Sequence, residues 1–194
     1  TRRSADSFRL WLKEPKAQQS FLLVGSEGCG KSQLLDYCLA ASKRKVQVAV
    51  VQCAAQTRSS HILEKLTQYC TTVTSNSSSG ASRMLRPKDG DRLVLLLRDL
   101  NLPKPDKWGS CEVVAFLEQM LTYKGYYDTT SLEFIGIEGI QVVATLTPSS
   151  TSGGMGRYPM SPRLTSLLRV ASVTNPDREE LNKIYHCLLQ HIST

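Results

Sequence analysis

The segment Gly25-Ser26-Glu27-Gly28-Cys29-Gly30-Lys31-Ser32 constrains this chain more than any other stretch. It satisfies the spacing G-x-x-x-x-G-K-[ST] at every fixed position. The apolar run Phe21-Leu22-Leu23-Val24 precedes it, and Leu34, Leu35, Cys38 and Leu39 follow at helical spacing. Strand, glycine loop and helix in that order build an anion cradle. Successive backbone N–H groups turn inward, and the positive end of the following helix reinforces them. Lys31 is then placed to reach the outer phosphates, and the Ser32 hydroxyl to coordinate Mg²⁺. Residues 25–32 are the expected nucleoside-triphosphate site.

The rest of the composition narrows the setting. The chain has 194 residues, 41% hydrophobic and 21% charged, which suits one domain of ordinary size with a buried core. No apolar run approaches the ~20 residues needed to cross a bilayer, and no signal-peptide pattern opens the chain, so no membrane partner is expected. The net charge of +7 raises the possibility of nucleic acid. The basic residues are dispersed, however, over Arg2-Arg3, Lys43-Arg44-Lys45, Arg83 to Lys88 and Lys104 to Lys107, with no aromatic stacking pattern beside them. A solvated basic surface, partly serving the phosphate site, is the better reading. The six cysteines include no C-x-x-C pair, and three histidines make no zinc pattern, so reduced thiols are expected. Cys38 and Cys187 fall on apolar helical faces, where small buried side chains belong. Cys29, beside the loop amides and Lys31, reads as a variable loop position rather than a reactive thiol.

Periodicity predicts alternating strands and helices. An amphipathic helix over Ser4 to Glu14 is followed by a strand at Ser20–Val24 and a helix from Lys31 to about Ala41. A buried strand runs from Val46 to Gln52, and a helix from Ser59 to Tyr69 is capped by Ser59 or Ser60. Thr71 to Ser82 reads as a polar loop or exposed hairpin. Leu93–Leu97 reads as a central parallel strand covered on both faces. A helix at Cys111–Leu121 precedes an inserted hairpin within Tyr126–Ile140, a strand at Gln141–Thr145 and a glycine- and serine-rich loop to Met160. A short helix at Ser161–Leu168, a last strand at Arg169–Val173 and a helix at Asp177–Ile192 complete the pattern. The fold class is α/β: a parallel sheet flanked by helices, with its ligand site at the carboxyl ends of the strands. That rule gathers the glycine loop, Arg98-Asp99 and Thr147 along one edge.

The second motif of such a site is incomplete. Hydrolases with this loop place an Asp for Mg²⁺ at the end of a buried strand, and many add a Glu that polarises water. Here Leu93-Val94-Leu95-Leu96-Leu97 runs into Arg98-Asp99. In one register Arg98 takes the metal position and Asp99 the base position. Shifted by one residue, Asp99 is the metal ligand and Leu100 stands where the base belongs. Both registers leave binding intact and impair hydrolysis.

Asn101-Leu102-Pro103-Lys104-Pro105-Asp106-Lys107-Trp108-Gly109 makes the chain recognisable. N-L-P-x-x-D-K-[YW]-G after the second acidic strand resembles the third AAA+ module of dynein heavy chains. The likeness continues through Leu121 to Asp128, through Ile140 to Ala144, and through Gly156-Arg157 followed by Ser161-Pro162-Arg163-Leu164. The basic residue before Asp99 is most like the type 2 cytoplasmic, intraflagellar-transport branch of that family. The resemblance covers roughly residues 18–190. It implies a P-loop NTPase fold of AAA+ type with an inserted β-hairpin, residues 1–194 being a large nucleotide-binding subdomain without its helical lid. It implies ATP or ADP as ligand on Gly25 to Ser32, with Mg²⁺ on Ser32 and Asp99. Asp99 aligns with the catalytic glutamate, Thr147 with the sensor, and Arg163 with the arginine finger that acts on a neighbouring module. It further implies neighbouring modules of one heavy chain as partners, other dynein subunits and microtubules as partners of the parent protein, and a place in cytoplasm, cytoskeleton and cilium. On this reading the module binds nucleotide and regulates a minus-end-directed motor, with weak or absent hydrolysis of its own. A competent ATPase using Asp99 is the first alternative, and a nucleic-acid-dependent AAA+ ATPase, favoured only by charge, is the second.

Overall fold

A computed structural model describes residues 11–12, 19–41, 46–77, 80–90, 92–148 and 156–192. In chain order the elements are β1 (Phe21–Gly25), α1 (Lys31–Ala40), β2 (Gln47–Gln52), α2 (Ser59–Tyr69), β3 (Cys70–Ser77), β4 (Gly80–Pro87) and β5 (Leu93–Arg98). They continue with α3 (Glu112–Tyr123), β6 (Gly125–Tyr127), β7 (Phe134–Ile137), β8 (Ile140–Leu146), α4 (Pro162–Leu167), β9 (Arg169–Val173) and α5 (Arg178–Ile192). The helix expected over Ser4 to Glu14 lies outside the described residues except for Trp11 and Leu12, which are helical.

Five parallel strands form the main sheet in the order β2-β5-β8-β1-β9. The apolar run of β5 explains itself there. Leu93, Leu95 and Leu97 join one core with Ala49, Val51, Val142 and Ala144, packed against Ile62 and Leu66 of α2 and Val113 and Leu117 of α3. Val94 and Leu96 face the other core, with Phe21, Leu23, Val143 and the α1 residues Leu35 and Cys38. Alternate residues point to opposite faces, so a strand covered on both sides must be apolar throughout. β5 lies inside the sheet, between β2 and β8, and is covered on both faces as expected.

The polar stretch after α2 is a hairpin rather than a loop, with β3 and β4 paired from Cys70↔Pro87 to Ser77↔Gly80. It is not isolated. β4 pairs in parallel with β7, and β7 pairs antiparallel with β6, giving a second sheet ordered β3-β4-β7-β6. The sequence suggested an inserted hairpin within Tyr126–Ile140; the fold joins the β6–β7 hairpin to the β3–β4 hairpin across the 38 positions from Pro87 to Gly125. Leu85, Tyr126 and Ile135 carry this sheet into the α2–α3 core, with the Phe116 and Tyr126 rings edge to face at 5.7 Å.

The cap of α2 differs from expectation. Arg58 is the N-cap residue, its backbone N–H donating to His61 Nδ1 at 3.0 Å. The N–H and hydroxyl of Ser59 both go to the Glu112 carboxylate in the first turn of α3. An acid from the next helix thus satisfies the exposed amide end that a Ser cap would serve. Cys38 is buried as expected, but Cys187 is exposed, because α5 leaves Leu181, Ile184, Tyr185 and Leu189 uncovered.

Candidate functional site

The loops leaving β1, β5 and β8 meet where those three neighbouring strands end. Between them lies a cavity of about 390 Å³ lined by Gly28, Lys31, Ser32, Asp99, Thr145, Thr147 and Arg157, among others. The expected edge is therefore assembled. Gly28 and Gly30 hold φ of 73° and 84°, backbone that residues with a Cβ adopt only at a cost, and a Cβ on Gly28 would project into open space. Gly25 is required for a different reason. A Cβ there would lie 2.4 Å from the Val173 carbonyl and 2.8 Å from Cys29 Sγ, so the β1–β9 contact admits no side chain.

Within the loop the side chains divide their work. Lys31 is 8% exposed and donates to the carbonyls of Gly25 at 2.8 Å and Ser26 at 2.7 Å. Its remaining proton faces Cys29 Sγ at 3.7 Å, a weak acceptor that a phosphate oxygen outcompetes. Ser26 donates to Asn175 Oδ1 at 2.7 Å, tying the loop to the segment after β9. Cys29 is buried beneath the loop as packing. Glu27 reaches outward to Arg157 at 3.0 Å.

Asp99 is held in a left-handed conformation, φ 55°, directly after β5. Thr145 fixes it there: the Asp99 N–H donates to Thr145 Oγ1 at 3.0 Å, and the next N–H, of Leu100, donates to the Thr145 carbonyl at 3.0 Å. A polar side chain held in this sparsely populated region next to a ligand cavity is a common signature of a working residue. Gln52 donates to its Oδ2 at 3.3 Å, and Arg157 lies 3.4 Å from its Oδ1. The Asp99 charge also reaches Cys53, whose thiol is pushed up to about 12, by burial first and Asp99 second. Arg98 turns the other way, onto Asp36 of α1 at 3.0 and 3.1 Å. It neither lines the cavity nor stands in for a metal ligand, which removes the objection that a cation occupies the metal position.

Asn101 organises the rest. It is 3% exposed, and its Nδ2 donates to the Thr147 carbonyl at 2.6 Å. Its own carbonyl accepts from Tyr158 N–H at 2.9 Å. Thr147, expected as the sensor, is buried at the cavity wall, and Arg157 lines the same cavity beside the loop. Arg163 sits elsewhere. On α4 its side chain is 66% exposed, 3.8 Å from Glu118, and it lines a separate cavity with Phe116 and Tyr127.

These groups fit a nucleotide's phosphates: a cradle of glycine backbone, a lysine beneath it and a hydroxyl at Ser32. For Mg²⁺ the protein offers the Ser32 hydroxyl and the Asp99 carboxylate, matching the one or two ligands this ion takes beside phosphate and water. The ion would share Asp99 with Arg157 and Gln52. Among the described residues no group of three or more His, Cys, Asp or Glu forms a metal centre. No helix there is long and apolar enough to cross a membrane.

Residues 7–176 match the P-loop containing dynein motor region family. This chain belongs to that family. The dynein assignment extends to named relatives. "Cytoplasmic dynein 2 heavy chain 1" of Tripneustes gratilla and of Homo sapiens are each 46% identical over 190 residues, 98% of this chain. The protein of the same name from Chlamydomonas reinhardtii is 45% identical over 179 residues, 91% of the chain. The chain spans about 4% of the length of each of these heavy chains. Within the dynein site, the sequence did not single out Thr145 or Asn175, and it used Arg157 only as part of a likeness. Each acts through a partner 46 to 149 positions away, a separation that no local pattern encodes.

Proposed function

We propose that this chain is an ATP- or ADP-binding AAA+ module of a dynein heavy chain. It regulates the motor through the nucleotide it holds and hydrolyses that nucleotide slowly or not at all. The observation that carries the reading is the contrast between the two halves of the site. The phosphate loop is complete, with Lys31 and Ser32 at the cavity. The hydrolytic half has one carboxylate, Asp99, and Arg157 and Gln52 already engage it. Bound nucleotide would place its phosphates on Gly28 to Ser32, with Mg²⁺ supplying charge neutralisation beside Ser32 and Asp99. Thr147 would orient a terminal oxygen or water, and Asp99, shorter by one methylene than Glu, would reach that water poorly. The outward position of Arg163 supports a role for it on the nucleotide of a neighbouring module. The dynein 2 relatives support a parent motor that moves on microtubules in cytoplasm and cilium during intraflagellar transport. No nucleic-acid or membrane partner is part of this reading.

The second reading is a competent ATPase, favoured by the fixed, cavity-facing geometry of Asp99. Turnover by the intact heavy chain separates the two. If the module regulates by binding, Lys31→Ala lowers microtubule-stimulated turnover several-fold, and the fall caused by Asp99→Asn is a small fraction of that. If the module hydrolyses, the two variants fall alike.

A further inference from the structure

We propose that Arg157 is a terminal-phosphate ligand supplied by the chain's own loop, and that it makes this pocket prefer ATP to ADP with little need of Mg²⁺. The inference rests on the nucleotide reading above and goes beyond it, since neither the phosphate-loop pattern nor the arginine-finger position designates this residue.

Arg157 lines the cavity that would receive the phosphates, opposite the loop residues Lys31 and Ser32. Its Nη2 is 3.0 Å and its Nε 3.1 Å from Glu27 Oε1, on the loop itself. Its Nη1 is 3.4 Å from Asp99 Oδ1 and 3.5 Å from Asn101 Oδ1. The guanidinium therefore spans from the phosphate loop to the acid after β5, across the same cavity that Lys31 and Ser32 line. It is held there rather than waving in solvent: the side chain is 18% exposed, and the adjacent Tyr158 N–H is bonded to Asn101.

Charge makes the placement consequential. The charged residues lining the cavity are Glu27, Lys31, Asp99 and Arg157, two of each sign. Without Arg157 the lining is net negative, and a polyphosphate would meet two carboxylates against a single lysine. With it the lining is neutral, and a planar guanidinium suited to phosphate oxygens bridges the two acids at the cavity. An anion of higher charge than a carboxylate competes well for that fork. On this proposal a third phosphate would reach it, and a diphosphate seated on Gly28 to Ser32 would not. The cation then does at the terminal phosphate part of what Mg²⁺ would do there.

The test is calorimetric titration of the 194-residue chain with ATP and with ADP, each in EDTA and in Mg²⁺. In EDTA the unaltered chain is expected to bind ATP more tightly than ADP. Arg157→Ala is expected to weaken ATP about ten- to a hundred-fold, the range for one lost charged hydrogen-bonding group, while moving ADP far less. Arg157→Lys, which keeps the charge and loses the fork, is expected to fall between them, and it guards against a folding defect in the alanine variant. Equal losses for ATP and ADP, or no loss for either, overturn the proposal. If the unaltered chain binds neither nucleotide, the nucleotide reading fails first and takes this one with it.

Discussion

At the scale of single residues, the site depends on a few buried polar groups that each hold two things at once. Asn101 is the clearest. Its amide donates from Nδ2 to the Thr147 carbonyl and offers Oδ1 as acceptor toward Arg157, two separate atoms of one planar group. Asn101→Ala strands the Thr147 carbonyl in a buried setting, at a cost of about 1–3 kcal/mol, and loosens the wall beside Asp99. Chemical denaturation should report that loss as a lower midpoint with an unchanged slope; a midpoint equal to that of the unaltered chain would remove Asn101 from the scaffold of the site. The sequence brought out Asn101 through its motif, but not its task. The reason is physical: Lys31 and Ser32 act through local loop geometry, whereas Asn101, Thr145 and Arg157 act through contacts across strand ends. The place of Arg98 was hidden in the same way, since the Asp36 partner on α1 that draws it out of the cavity lies 62 positions away.

At the scale of elements, continuous apolar runs made the main sheet legible: β5 is buried and apolar on both faces up to Arg98, and β8 carries only Gln141 and Thr145 as buried polar residues. The second sheet was less so. β6 and β7 are only three and four residues long, and what joins β4 to β7 is backbone pairing, which leaves no side-chain signature. The turn between β6 and β7 does carry one. Asp128 accepts from the N–H of Thr130 and from the N–H and hydroxyl of Ser131. These bonds, the Thr130 backbone N–H foremost, hold its carboxyl below the usual carboxylate range. A depressed folded pKa adds stability above the unfolded value, and that stability is lost as pH falls through the folded one. Thermal unfolding scans below about pH 4 should therefore fall more steeply for the unaltered chain than for Asp128→Asn. Parallel curves would mean that the turn does not depend on the charged form.

At the scale of the whole molecule, the three loops that converge on the cavity belong to one rigid sheet, while the surfaces around them remain open. Arg163 faces outward beside exposed Tyr123 and Tyr127, and α5 presents Leu181, Ile184, Tyr185 and Leu189. On the proposed reading these faces meet the rest of a heavy chain, of which the relatives' length shows this chain to span about 4%, and the nucleotide pocket is its own contribution. The most direct measurement of that contribution is titration of the chain with ATP while Mg²⁺ is withdrawn, with Lys31→Ala alongside. The expected result is binding that the lysine variant abolishes and that survives removal of the ion with only modest weakening. Binding that appears only when Mg²⁺ is present, or that persists in Lys31→Ala, would contradict a regulatory phosphate pocket built on this loop.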